Sequence, residues 1–89
     1  MTTVQSIDRA FGVLRALAAG PAGVTDIADR VGLPKSTVSR MLSTLEELGA
    51  VEQVSVGGEY RIGWAMIELA AAARPGRPHP KLYFGGASE

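Results

Sequence analysis

Chemistry-bearing side chains concentrate in one short segment. Lys35-Ser36-Thr37, Ser39-Arg40 and Ser43-Thr44 combine short hydroxyl donors and acceptors with two cations. Such side chains reach base edges and phosphate oxygens without holding a helix away from a groove. No acidic residue lies between Arg30 and Leu45; Asp26 and Asp29 precede that stretch, and Glu46, Glu47 and Glu52 follow it. The charge order also opposes the helix dipole. Lys35 falls in the first turn of the expected helix and Glu46-Glu47 in its last, each unfavourable by a few tenths of a kcal/mol or more. A phosphate beside Lys35 would reverse that local preference. On its own the segment also fits an ordinary solvated helix face, so the surrounding elements must decide.

Other chemistries lack their residues. The chain has no cysteine and a single histidine, His79, which excludes a disulfide scaffold and a cysteine-based zinc finger. No serine has a partner base within a folded segment, and no glycine-rich phosphate loop occurs. Neither an enzyme nor a metal or cofactor site is expected.

Length and charge set a second condition. With 89 residues the chain makes one small domain, which buries only about 60% of its unfolded surface and benefits from a partner. The formal net charge is zero, so the basic stretch from Arg30 to Leu45 is a local patch. It offers few phosphate contacts per copy, which implies weak binding by a monomer and calls for a dimer. The longest apolar run, Leu69 to Ala73, is far below the ~20 residues of a membrane span, and Met1-Thr2-Thr3-Val4-Gln5 has no signal-peptide character. A soluble, cytoplasmic chain with no membrane association is expected.

The elements follow from periodicity and breakers. Ser6 to Ala19 reads as a first helix capped by Ser6, with Ile7, Phe11, Leu14 and Leu17 on its apolar face and Gly12 as a tolerated interior glycine. Gly20-Pro21-Ala22-Gly23 breaks it. Thr25 caps a short second helix from Asp26 to Val31, and Gly32 suits the left-handed residue that ends it. Pro34 fits the first position of a third helix that runs to Leu48 and stops at Gly49. Val38, Met41, Leu42, Leu45 and Leu48 define the buried face of that helix. Residues 51–56 and 59–62 are β-prone runs around Gly57-Gly58 and read as a hairpin. Trp64 to Ala73 forms a fourth helix, ended by Arg74-Pro75, and residues 76–89 read as a linker or disordered tail.

Two helices joined through a glycine turn and followed by a hairpin make a winged helix-turn-helix. The fold class is mainly α with a small β-hairpin. The first turns of the third helix would then meet the bases. Arg61 has two readings, a phosphate contact or an ion pair with Glu59 or Glu52. Gly57 and Gly58 either let the wing tip approach a backbone or only make the turn. Thr25 and Ser36 double as caps and phosphate donors. Tyr60 and Ile62 pack inward. The fourth helix is apolar almost all round, with Glu68 its only charge; it needs cover from a second copy or a further domain.

Specific segments carry a family likeness. Val4 to Ala10, Gly32-Leu33-Pro34-Lys35-Ser36-Thr37-Val38-Ser39-Arg40-Met41-Leu42, Leu45 to Gly49, and Tyr60-Arg61-Ile62-Gly63 resemble the DNA-binding domain of IclR-type bacterial transcriptional regulators. The resemblance spans roughly residues 4 to 73. It implies a three-helix core, a wing and a linker helix, bound as a dimer or tetramer to a palindromic double-stranded operator. It places Lys35, Ser36, Thr37, Ser39 and Arg40 at the major groove or its phosphates and Arg9 at the backbone. Thr25, Gly58 and Arg61 complete the expected DNA surface. The linker helix, with Trp64, Ile67, Leu69, Ala70 and Ala71, contributes with the first helix to dimer contacts. The expected division is residues 4–63 as DNA-binding domain, 64–73 as dimerisation helix and 74–89 as tail. Members normally continue into a GAF-like effector-binding domain. Residues 76–89 do not resemble its start, so that domain is expected to be absent from this chain. The competing reading is a winged-helix module that binds protein and not DNA.

Overall fold

A computed structural model describes residues 4–73. Six elements follow in order: α1 (Gln5–Ala18), α2 (Val24–Val31), α3 (Lys35–Glu47), β1 (Val51–Gln53), β2 (Tyr60–Ile62) and α4 (Trp64–Ala72). The order is the expected one. The tail expected at 74–89, with His79, lies outside the described residues. The core joins Val13, Leu14 and Leu17 of α1, Ile27 and Ala28 of α2, and Val38, Leu42 and Leu45 of α3; Ala22, Ala50 and Val51 close it from the connections and the wing. Among the described residues no polar or charged side chain is buried. Burial of apolar surface is therefore the main force that sets the helices against one another.

The expected side-chain caps Ser6, Thr25 and Ser36 are all displaced, and no helix start has a side-chain cap bond. α1 starts at Gln5, and the Val4 carbonyl accepts the N–H groups of Ile7 and Asp8, each at 3.1 Å. Ser6 is thus inside the first turn. α2 starts at Val24, with Gly23 at the cap position, its carbonyl accepting the Ile27 N–H at 3.0 Å. Thr25 therefore lies exposed one residue inside the helix and makes no cap bond. Pro34 sits one place before its expected position, at the cap of α3, where its carbonyl accepts the Val38 N–H at 3.1 Å. Gly32 behaves as expected: at φ 72° it ends α2, a conformation glycine enters without a Cβ penalty.

The apolar faces are narrower than their periodicity suggested. α1 buries Val13 with Leu14 and Leu17, while Ile7 and Phe11 stay 57% and 49% exposed. α1 packs chiefly against α2 and β2, and Ile7 and Phe11 instead line an open groove toward α3 and α4. Leu48, expected in the core, is 69% exposed. It is the residue after α3, where the chain turns toward Gly49.

The wing is a two-stranded antiparallel sheet with Val51 opposite Ile62, Glu52 opposite Arg61 and Gln53 opposite Tyr60. The Val54 N–H donates to the Glu59 carbonyl at 2.7 Å and closes the loop. Strand alternation turns Ile62 and Tyr60 toward the core and Arg61 to solvent. An unanticipated pairing holds the outer edge of β2. Ala22, in the α1–α2 connection, exchanges both backbone hydrogen bonds with Tyr60, at 3.0 and 2.8 Å.

α4 is strapped to the α3–β1 turn through Gly63. The Gly63 N–H donates to the Ala50 carbonyl at 2.8 Å, and the Ala65 N–H to the Gly49 carbonyl at 3.0 Å. A Cβ on Gly63 would stand 2.3 Å from the Gly49 carbonyl oxygen and 2.9 Å from the Val51 nitrogen, so only glycine permits this approach. Beyond the strap no residue of α4 is buried; Ala65 and Met66 are half-buried, and Trp64, Ile67 and Leu69 are exposed.

Candidate nucleic-acid interface

α3 segregates its residues by angle. At about 100° per residue, Val38, Leu42 and Leu45 share the buried side, which leaves Ser36, Arg40 and Ser43 near the opposite side. All three are exposed, as are Lys35 and Ser39 on one flank. Thr37, half-buried, and Thr44 lie on the other flank, where they line a groove against α1. The Thr44 hydroxyl donates to the Arg40 carbonyl at 3.3 Å. The other hydroxyls of this face, on Ser36, Ser39 and Ser43, make no side-chain hydrogen bond among the described residues.

The arginines divide into two groups. Arg30 is engaged twice, with its guanidinium 3.0 Å from the Asp26 carboxylate and donating to the Ala16 carbonyl at 3.1 Å. It sews α2 to α1. Arg61 donates through Nε to Glu52 Oε1 at 2.8 Å and through a second guanidinium nitrogen to the same oxygen. Of the two readings of Arg61, the structure brings together the ion pair with Glu52. Among the described residues, Arg9, Lys35 and Arg40 form no ion pair. Arg9 and Arg40, from α1 and α3, border the same groove.

At the wing tip, the Gly58 N–H donates to the Ser55 carbonyl at 2.9 Å, and a Cβ there would meet the Ser55 Oγ at 2.3 Å. Gly58 thus makes a tight turn. Thr25 is exposed in the first turn of α2.

A separate surface is apolar. On α4, Trp64, Ile67 and Ala71 follow i, i+3, i+7 spacing on the side away from the body, while Met66 and Leu69 line the groove against α1 and α3. Of the residues expected at a dimer contact, Trp64, Ile67 and Ala71 make this stripe, Ala70 is exposed beside it, and Leu69 sits on its groove flank. Sequence reasoning had missed Ile7, Phe11 and Leu48 as surface residues. The available signal was an α1 apolar stripe wider than so small a domain can cover.

This arrangement defines a winged helix-turn-helix: α2, a glycine turn and α3, followed by a strand pair against the same core. A family model, the IclR helix-turn-helix domain, matches residues 6–55. The HTH-type transcriptional regulator Rv1719 of Mycobacterium tuberculosis is 41% identical over 84 residues, covering 89% of this chain and 32% of that protein. The transcriptional repressor IclR of Escherichia coli is 39% identical over 62 residues, 67% of this chain and 23% of its own. Among solved structures, an IclR regulator from Alicyclobacillus acidocaldarius superposes with a TM-score of 0.74 at 32% identity, covering 83% of this chain and 31% of that one. The chain belongs to the IclR helix-turn-helix family, the DNA-binding part of bacterial transcriptional regulators. It spans about a third or less of the length of these relatives.

Proposed function

We propose that two copies of this chain read a palindromic operator in the bacterial cytoplasm, each setting α3 into the major groove of one half-site. The observation that carries this reading is the outer face of α3, exposed, rich in hydroxyls and holding two cations without a carboxylate partner among the described residues. Arg40 makes the principal base or phosphate contact. Lys35 binds a phosphate and thereby removes its unfavourable position at the helix N-terminus. Ser36, Thr37 and Ser39 make the shorter contacts, and Arg9 and Thr25 meet backbone from the flanking helices. At the wing, Gly58 sets the tip, and Arg61 reaches a phosphate only by sharing or leaving Glu52.

Residues 4–63 act as the reading unit and 64–73 as the pairing helix. The stripe of Trp64, Ile67, Ala70 and Ala71, with Leu69 at its edge, packs against a second copy. Pairing explains how a chain of zero net charge gathers enough phosphate contacts to bind.

The exposed apolar surface of α1 and α4 also favours a second reading, a module that binds protein alone. Selection of randomised duplexes by the purified chain separates the two. DNA reading yields an inverted repeat with half-sites about one helical turn, or a multiple, apart, and affinity that falls steeply with salt. Failure to enrich any duplex at low salt overturns it in favour of the protein-binding module.

A further inference from the structure

The wing ends in an apolar tip that the fold leaves bare. Val56 is 102% exposed and Val54 48%, and the five residues from Val54 to Gly58 carry no charge. The turn that presents Val56 is tightly made. The Gly58 N–H donates to the Ser55 carbonyl at 2.9 Å, and Gly57, third in that turn, takes φ 71°, a conformation that calls for glycine. The hydrogen bond between the Val54 N–H and the Glu59 carbonyl closes the loop behind it. Val56 is second in the turn. Glycine, proline and short polar residues dominate such turns, and an apolar, β-branched side chain there gains no burial from its own fold.

Size and reach narrow what can cover it. A single isopropyl group cannot found a protein interface, which takes about 800 Å² from each partner. It suits a narrow slot with apolar walls. The minor groove of DNA is about 6 Å wide, and its walls are deoxyribose carbons. The wing also reaches far enough. β1 leaves the core at Val51, which is 1% exposed and follows closely on α3. Five extended residues from there to Val56 span at most about 17 Å. That is about half of a ~34 Å helical turn, the step from one groove to the next.

We propose that Val56 enters the minor groove beside each half-site and reads it by shape. Its methyls rest on the deoxyribose walls, and a G·C pair keeps them out because the guanine amino group rises from the groove floor. Apolar side chains serve other proteins in the minor groove. Val56 is thus a specificity-determining residue that carries no charge, and its share of the affinity is one that salt does not screen. The proposal rests on the DNA reading above and adds to it a second groove and a second kind of contact.

The test measures binding of the full chain by fluorescence anisotropy. The duplexes keep the selected half-sites and carry A·T, I·C or G·C steps on both sides of each. Inosine lacks the guanine amino group and leaves the major-groove edge unchanged, so I·C against G·C isolates the minor groove. A·T and I·C flanks are expected to bind alike, and G·C flanks about tenfold more weakly. Val56→Ser is expected to bind all three flanks alike, with the same half-site preference, the same salt slope and an unchanged melting temperature. Val56→Ile is expected to keep the discrimination. Equal binding of I·C and G·C flanks by the unmodified chain overturns the proposal. So does discrimination that survives Val56→Ser, or a melting temperature that falls in that variant, which would show that Val56 packs against its own chain. Failure to bind any duplex removes the DNA reading and this proposal with it; a bound duplex indifferent to Val56 removes this proposal alone.

Discussion

The wing and the recognition helix each hold an arginine expected at DNA, and the fold treats them differently. Arg61 stands directly across the strand pair from Glu52, so the register itself delivers a carboxylate to its guanidinium. Arg40 has Ser36, Thr37, Ser43 and Thr44 at the i±3 and i±4 positions of its helix, where an ion-pair partner would have to sit. All four are hydroxyl residues. A cation whose neighbours are hydroxyls stays available to an outside anion, whereas one placed opposite a carboxylate already has a partner. Position relative to one's own elements, more than charge, separates a contact residue from a structural one.

The largest expected effect tests the free arginine. Arg40→Ala should weaken binding to a selected duplex by about 1–3 kcal/mol per half-site, read by fluorescence anisotropy. A base contact also relaxes sequence preference at one position of each half-site, and a phosphate contact does not. Unchanged affinity would erase the contrast between the two arginines.

Gly63→Ala acts on the joint that both regions share. Its Cβ would overlap the Gly49 carbonyl oxygen, and overpacking of this kind typically costs about 1–3 kcal/mol. No side-chain movement relieves the overlap, because the atoms that the new Cβ meets on Gly49, Ala50 and Val51 are all backbone. The melting temperature should fall by several degrees. An unchanged melting temperature would show that α4 is not held by this strap.

Lys35→Ala should weaken every duplex about equally, and the slope of log affinity against log salt should drop by about two, one for each copy on the operator. A change in the preferred sequence would instead move Lys35 from phosphate to base.

The legibility of these features in the sequence varied with their cause. The faces of α3 were readable because apolar and hydroxyl residues alternate at helical spacing, and Val38, Leu42 and Leu45 are buried as that spacing requires. Ile7 and Phe11 obey the same spacing and are exposed. Periodicity identifies an apolar stripe; the placement of neighbouring elements decides how much of it is covered. Ser6 and Thr25 are sound cap types, but Val4 and Gly23 took those positions because each helix begins one or two residues earlier. The Ala22–Tyr60 pairing uses backbone groups alone, and a Gly-Pro-Ala-Gly breaker gives no side-chain sign of it. Arg61 was undecidable from sequence, because a phosphate and the Glu52 carboxylate satisfy a guanidinium alike.

The smallest expected effect addresses that ambiguity. Glu52→Gln keeps the size of the side chain and removes its charge, which releases Arg61 from its ion pair. The pair is exposed, and pairs of this kind contribute about 0.2–1 kcal/mol, so the melting temperature should fall only slightly. If the wing lies along the DNA backbone, the freed guanidinium gains a phosphate and the chain loses a negative charge beside it. Duplex affinity should then rise modestly and the salt slope steepen. In an Arg61→Ala background the same substitution should lose most of that gain, since the guanidinium that would make the contact is gone. A gain that persists in full without Arg61 would assign it to the removed carboxylate alone and leave the wing arginine as a strand-pairing residue.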